Sequence, residues 1–445
     1  MKNIPENVLN IIKTLNSNGY EAYIVGGCVR DSIIGKTPYD WDIATNASPD
    51  NVKNLFENTV DTGIKHGTVT VIIHNETYEI TTYRIDGKYI DNRRPENVRF
   101  TNSLEKDLAR RDFTINAIAF HPKTSFFDPF DGIIDIKSKV VRCVGNPNER
   151  FVEDALRMIR AVRFSAQLGF EIESVTFDSI YMNSSIISKI SSERIQEELT
   201  KIITSDNPSK LRLLVDSNIM KYVIPEFVDC FDTPQNNPNH IYNVGEHILC
   251  ALENIENNPV LRWTMLLHDI GKPVTRTTDE NNIDHFHGHQ AEGVKISLNI
   301  LKRLKFDNKT TDKILRLVKY HDRQIAPDLV PVRRAVRKLG DDIFSDLLKV
   351  KEADYKGQGS KYTGKNLLNL KKIKEIYKTI KESSQCVSLN SLVINGSDLI
   401  NLGMEQGPRL GKVLNSLLDE VIDNPSLNNR NDLINIAKEK FLLND

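Results

Sequence analysis

The sequence predicts an α+β protein, with a small α/β head followed by a long all-α neck, body and tail. Three observations carry that prediction. Residues 1–140 alternate short β-branched runs with short helical ones. From about residue 141 the pattern changes to helical periodicity, beginning with "RFVEDALRMIRAVRFSAQLGF", and stays helical to the end. Between the two longest helical blocks, "TPQNNPN" at 233–239 supplies the Pro and Asn punctuation of a linker. With 445 residues, the chain is long enough for roughly two to four domains and a large core. The expected divisions are 1–140 (head), 141–232 (helical neck), 240–360 (helical domain) and 361–445 (helical tail).

In chain order, "EAYIVGG", "DWDIAT", "GTVTVII", "YEITTYR" and "INAIAFH" have the length and content of strands. The charged, glycine-containing segment "YRIDGKYIDNRRPENVRF", residues 83–100, separates two of them. Net charge is -1, so the whole-chain balance points to no polyanionic partner. The distribution is uneven, however. Lys295 to Lys378 contains 22 Lys/Arg against 10 Asp/Glu, so the remainder is acidic. A solvated helical surface produces such a bias, and so does a surface for a nucleic-acid backbone. The five cysteines, Cys28, Cys143, Cys230, Cys250 and Cys386, are dispersed and form no C-x-x-C pair. This argues against a disulfide framework or a cysteine zinc site. No apolar run has membrane-spanning length, and a cytosolic protein without a membrane partner is expected.

The chemistry begins at "DWDIAT". Residues two apart in a strand face the same side, about 6–7 Å apart. Asp40 and Asp42 would therefore offer two carboxylates to one point. Without a cation they would repel and one would protonate. A divalent metal such as Mg²⁺, shared with phosphate oxygens, resolves the conflict. Glu79 in "TYEITTYR" is the candidate for a third acid from a neighbouring strand. Just upstream, "VGGCVRD" sets Gly26 and Gly27 between a strand and a helix, where backbone can approach a phosphate. Arg30 on the first turn can add charge-assisted hydrogen bonds.

Together with "RRDFTINA" (110–117), "DPFDG" and "RFVEDALRMIRAVRF", these motifs resemble the class II tRNA nucleotidyltransferases. That family comprises the CCA-adding enzymes and the related bacterial poly(A) polymerases. The likeness extends weakly into the tail, "LVINGSDLINLGMEQGPRLGKVLNSLLDEVI". Cys28 stands where alanine is commoner in the family, a small change in that loop. The resemblance implies a polymerase-β-like nucleotidyltransferase head. It implies that Asp40 and Asp42 hold metals, and that Gly27 and Arg30 hold the triphosphate. Arg111 and Asp112 would contact sugar and phosphates, while Asp154, Arg157, Arg160 and Arg163 would line the nucleotide pocket. It also implies that segment 83–100, shortened in family members that add only CC, permits addition of A.

On a continuous helix, Asp154, Arg157, Arg160 and Arg163 step backwards by about 60° each and share a polar arc with Glu153. Val152, Ala155, Ile159, Val162 and Ala166 would fill the opposite arc. An i,i+3 surface ion pair between Asp154 and Arg157 is the plainer alternative. An Asp–Arg pair can read cytosine and adenine, because both present an exocyclic amine beside a ring-nitrogen acceptor. Uracil and guanine invert both contacts, at about 1–3 kcal/mol for each group left unpaired.

Farther on, "NVGEHIL", "LLHDIGK", "FHGHQAEG", "YHD" and "KEADYKG" place His247, His268, Asp269, His287, His289, His321 and Asp354 in order. The pattern resembles the metal site of HD phosphohydrolases. His247, His268, Asp269 and Asp354 would be core ligands, and His289 and His321 the extra ligands of two-metal versions. The ion would be Mn²⁺, Ni²⁺ or Co²⁺, or the domain would serve only as scaffold. The resemblance as a whole implies addition of C, C and A to the 3′ end of tRNA from CTP and ATP, without a nucleic-acid template. The basic stretch from 295 and "GPRLGK" would grip the tRNA backbone. The alternatives are an A-adding-only enzyme, a poly(A) polymerase, or a protein whose main activity is the HD phosphohydrolase.

Overall fold

The computed structural model describes residues 1, 4–87, 97–237, 241–359, 363–383 and 387–442. It divides into two compact units, Met1–Val228 with Arg303–Lys305, and Asp229–Lys302 with Phe306–Asp445.

The first unit opens with α1 (Glu6–Ser17), whose Val8, Ile11, Ile12 and Leu15 follow helical spacing and are all buried. The strands and helices that follow are β1 (Ala22–Val25), α2 (Gly27–Ile33), β2 (Asp42–Thr45), β3 (Thr59–Gly63), β4 (Thr68–Ile73) and β5 (Glu76–Thr82). Then come β6 (Ala119–His121) and β7 (Ser125–Phe127). They form one seven-stranded sheet in the order β3-β4-β5-β2-β1-β6-β7. β2 and β5 run parallel with Asp42 opposite Glu79; the other neighbours are antiparallel. Ile24, Ile43 and Ile80 lie across the middle of this sheet, fully buried. All five expected strands are present. The two edge strands, β3 and β7, were not anticipated. "TVDTG" and "SFF" are largely exposed and carry no alternation for a buried face to impose.

Segment 83–100 begins and ends as a small antiparallel ladder, Arg84–Asp86 with Val98–Phe100. Residues 88–96 between them lie outside the described residues, as does Cys386. "DPFDG" is a built corner. Asp128 accepts hydrogen bonds from the Gly132 and Ile133 N–H groups, both at 2.8 Å. Gly132 lies so close to the Thr114 carbonyl that a Cβ would come within 2.2 Å.

The neck departs from expectation. The helix expected through 153–164 is two helices, α3 (Pro147–Glu153) and α4 (Leu156–Leu168). Asp154 stands at the break with extended backbone, φ −136° and ψ 103°. Its Oδ1 accepts the Leu156 N–H at 3.1 Å. Aspartate is favoured at such a position because its side chain competes with the helix for the backbone donor. Asp154 therefore does not share a helical arc with Arg157, Arg160 and Arg163. Val152, expected on the apolar arc, is exposed, and Arg157, expected on the polar one, is buried. Ala155, Ile159, Val162 and Ala166 are buried as expected. A further helix, α5 (Ser192–Ile203), packs against α4.

The second unit is helical apart from one short hairpin, Thr277–Thr278 with Asp284–His285, among the described residues. Its candidate site residues lie on, or just past the ends of, α6 (Val244–Glu253), α7 (Pro259–Leu267), α8 (His289–Arg303), α9 (Asn308–Tyr320) and α10 (Asp341–Gly357). α7 starts at an Asn258 cap followed by Pro259, and α9 at an Asp307 cap, the usual signals for a helix start. Toward the end, Ile394, Leu399, Val413, Leu417, Val421 and Leu433 make a separate apolar cluster. No helix among the described residues is long and apolar enough to cross a membrane.

Candidate functional site

In the first unit, the acids and arginines picked out from the sequence, Glu79 and Arg163 excepted, line one open cleft of about 420 Å³. Asp42 opens β2, whereas Asp40 lies in the bend before it rather than in the strand. Both line the cleft. Glu79 stands on the neighbouring strand directly opposite Asp42. The Asp42 carboxyl is pushed up to about 6. Burial does most of this, the charges of Asp40 and Glu79 add to it, and Arg111 works against it. Carboxylates in that state are relieved by a divalent cation, so the donor set fits a metal such as Mg²⁺.

Gly26 turns the chain from β1 into α2 at φ +82°, in the region that favours glycine. A Cβ there would meet Arg111 Nη1 at 2.9 Å and Asp42 Oδ2 at 3.5 Å, so the glycine leaves room for Arg111. Burial lowers the Arg111 guanidinium from its ordinary value. Arg30 reaches Asn116 Oδ1 at 2.6 Å and Asp31 at 2.9 Å. Its guanidinium lies over the Phe164 ring, 5.1 Å from the centroid, as does that of Arg163 at 4.1 Å.

Asp112 is saturated. Its Oδ1 accepts from Phe113 N at 2.9 Å and Asn116 Nδ2 at 3.1 Å, and its Oδ2 from Arg160 Nε at 2.9 Å. Burial alone would raise this carboxyl, but the Arg160 charge and the Asn116 hydrogen bond prevail and hold it well below the carboxylate range. Asp112 thus anchors Arg160 to the cleft wall.

Asp154 and Arg157 line the same cleft but do not pair with each other. Arg157 donates to Glu153 Oε2 at 2.8 Å and to the Arg110 carbonyl at 2.9 Å. Asp154 Oδ2 accepts from Arg194 Nη2 at 3.1 Å. Arg163 is turned aside to Glu198, 2.8 Å away, and is absent from the cleft lining. Asn116, Phe164, Arg110 and Arg194 line the cleft without having been singled out from the sequence. Asn116 and Arg110 lay within the quoted "RRDFTINA". Arg194 belongs to an ordinary amphipathic helix and carries no local signal.

The second unit gathers the other five expected HD residues around Asp269, which is only 2% exposed. Asp269 Oδ2 faces His247 Nε2 and His268 Nε2, each at 3.3 Å. Its Oδ1 faces His289 Nε2 and His321 Nε2, each at 3.4 Å. Asp354 Oδ1 closes the first group, 3.1 Å from His247. His287 lines the pocket beside this cluster but is not part of it. His268, His289 and His321 have Nδ1 on the backbone carbonyl three residues earlier, at 2.7, 2.8 and 2.7 Å. With Nδ1–H donating there, each neutral imidazole presents a bare Nε2 lone pair to the centre. His289 and His321 then face each other at 3.3 Å, both aimed at a carboxylate oxygen. In that neutral tautomer three acceptors would converge on one point. Burial alone would lower the His321 imidazole, but the Asp269 hydrogen bond and charge beside it prevail, raise it and favour a proton there. Lys272 Nζ also reaches Asp269, at 2.6 Å, and Gln235 at 2.8 Å.

Residues 22–142 match the family model "Poly A polymerase head domain", and residues 291–437 match a model for tRNA nucleotidyltransferase domain 2. The chain is 35% identical to the CCA-adding enzyme of Ligilactobacillus salivarius, over 99% of this chain and 98% of the relative. It is also 35% identical to that of Levilactobacillus brevis, over 93% and 92%. Among solved structures, the Bacillus stearothermophilus CCA-adding enzyme in complex with CTP superposes with a TM-score of 0.69 at 28% identity, covering 94% of this chain and 92% of that one. The Thermotoga maritima CCA-adding enzyme complexed with tRNA shares the fold, with a TM-score of 0.61 at 20% identity over 98% and 97%.

Proposed function

The chain belongs to the CCA-adding enzymes, a family of tRNA nucleotidyltransferases, and from that premise we propose how its own residues do the work. It adds C, C and A to the 3′ end of tRNA from CTP and ATP. The observation that carries the residue assignment is the continuity of one cleft. Asp40, Asp42, Asp154 and Arg157 all line it. Two divalent cations, Mg²⁺ in our reading, would supply the charge, one activating the attacking hydroxyl and the other offsetting charge on the departing pyrophosphate. Asp40 and Asp42 would hold those cations, with Glu79 on the neighbouring strand. The Gly26–Gly27 backbone, Arg30 and Arg111 take the triphosphate. Asp112 fixes Arg160 in the wall. Asp154 accepts from the base amine and Arg157 donates to the ring nitrogen, which favours C and A over U and G.

The test is incubation of the pure protein with tRNA ending at the discriminator base. CTP alone should extend it by CC, CTP with ATP by CCA, and ATP alone should give little. Processive ATP addition would favour the poly(A) alternative, and A addition confined to tRNA already ending in CC would favour the A-adding one.

A second reading concerns the Asp269 cluster. Its two carboxylate oxygens, each facing a histidine pair, support a site for two transition-metal ions of the Mn²⁺, Ni²⁺ or Co²⁺ type. Metal pairs of this kind suit phosphoester hydrolysis. A substrate such as a 2′,3′-cyclic phosphate left on damaged RNA ends would connect this activity with the head, which requires a free 3′ hydroxyl. His268→Ala with Asp269→Ala should abolish metal-dependent hydrolysis of 2′,3′-cyclic nucleotides and spare nucleotide addition. Elemental analysis without transition metal, together with no hydrolysis under Mn²⁺, Ni²⁺ or Co²⁺, would overturn it.

A further inference from the structure

We propose that Arg194 is a positioning residue for base selection, acting by holding the Asp154 carboxylate where it can read the incoming nucleotide. The proposal rests on the reading of Asp154 as base reader. Asp154 sits in the break between α3 and α4 with extended backbone, so no helical turn constrains its side chain. Its orientation must come from contacts, and two are present. Oδ1 accepts the Leu156 N–H at 3.1 Å, and Oδ2 accepts from Arg194 Nη2 at 3.1 Å. With one bond on each oxygen the carboxylate cannot rotate, yet each oxygen keeps a lone pair for a base amine.

Arg194 comes from α5, and it also lines the cleft. Its Nη1 is buried and has no hydrogen-bond partner among the described residues. The guanidinium is therefore only partly used in holding the protein together, and what it does hold is Asp154.

The tether also prevents a particular failure. Asp154 and Arg157 carry opposite charges and line the same cleft, so nothing but their other partners keeps them from pairing across it. Such a pair would quench both readers at once, since each would occupy the other's edge. In the structure Arg157 is held instead by Glu153 at 2.8 Å and by the Arg110 carbonyl at 2.9 Å. Arg194 holds Asp154 from the other side. The two readers thus stay apart, each with capacity left for the base.

The test compares kcat/KM for CTP and UTP on tRNA ending at the discriminator base, using the full chain with Arg194→Gln, Arg194→Lys, Asp154→Ala and the double variant Arg194→Gln/Asp154→Ala. Arg194→Gln should lower the CTP/UTP ratio by about 10-fold or more, the usual worth of a lost charged contact. Arg194→Lys, which keeps the charge, should restore part of it and guards against a variant that merely misfolds. In the Asp154→Ala background, Arg194→Gln should change the ratio no further. An Arg194→Gln variant that loses rate equally with CTP and UTP would reduce Arg194 to a structural ion pair and overturn the proposal. If Asp154→Ala itself leaves the ratio unchanged, the base-reader assignment falls, and the proposal falls with it. A lower ratio in Asp154→Ala with none in Arg194→Gln overturns the tether alone.

Discussion

Gly26→Ala and Gly27→Ala should separate two effects that adjacent glycines usually confound. At Gly26 the backbone has φ +82°, and a Cβ would stand 2.9 Å from Arg111 Nη1. Ordinary contact begins at 3.4 Å, so the guanidinium must move by about 0.5 Å within a close-packed wall. Holding an alanine at that backbone conformation costs about 1–3 kcal/mol. For a unit of this size that corresponds to a Tm loss of roughly 2–4 °C per kcal/mol. Arg111 shifts beside Asp42, and misplacement on this scale should cost on the order of 10-fold in kcat.

At Gly27 the added methyl meets only the far end of the Arg30 side chain, Nη2 at 3.6 Å, and its φ is not in the left-handed region. Gly27→Ala should therefore leave Tm within a degree or so of wild type. It should raise KM for CTP by about 10-fold through a weakened backbone contact to phosphate. Thermal unfolding and steady-state addition on the two variants decide the matter. A Gly26→Ala variant with wild-type Tm and kcat, or a Gly27→Ala variant that loses stability while KM is unchanged, would refute this account of the turn.

Other outcomes follow from the same contacts. Asp112→Ala leaves the Arg160 guanidinium in the wall without its carboxylate. Because Arg160 is a third exposed, the loss should lie near the low end for a buried pair, about 3 kcal/mol by denaturant titration. The Asp112 carboxyl is held low in the folded state, so its stabilisation is fully present above the unfolded value of about 3.9 and fades as pH falls below it. The stability gap between wild type and Asp112→Asn should accordingly narrow below about pH 4; a constant gap would mean the charge is not what matters. At the Asp269 cluster, His289→Ala removes a ligand from one group and leaves His247, His268 and Asp354 complete. If the cluster takes up two transition-metal ions as proposed, elemental analysis should find about half as much metal in this variant as in wild type. Loss of all of it, or none, would contradict two separable positions.

Local chemistry was legible where neighbours in sequence are neighbours in space. "DWDIAT" is apolar enough for its last four residues to form a strand, with Asp40 left in the bend before it, and Gly26 and Arg30 lie close by in the chain. The grouping of His268 with Asp269 was legible because an apolar helix ends directly before them, whereas His321 follows an amphipathic one. The rest was set by contacts that sequence does not print. The composition of "EDALRMIR" favours one helix, and the break at Asp154 comes from a side chain competing for one backbone N–H. The parallel register that puts Glu79 opposite Asp42 depends on a connection of thirty residues between the two strands. The division of the two Asp269 oxygens between two histidine pairs, and the fastening of His268, His289 and His321 by their own carbonyls, depend on rotamers. Arg194, forty residues from its partner in the chain, shows only as one charge on an amphipathic helix.

The central claim is that the Asp40–Asp42 face of the head cleft performs CCA addition. Its most direct test is end-sequencing of tRNA lacking its last three nucleotides after a timed reaction with CTP, ATP and Mg²⁺, for wild type and Asp42→Ala side by side. The account predicts ends reading CCA from the wild type. It predicts unextended ends from Asp42→Ala, with that variant still folded and still binding tRNA. Appreciable CCA ends from Asp42→Ala would place the chemistry elsewhere and contradict it.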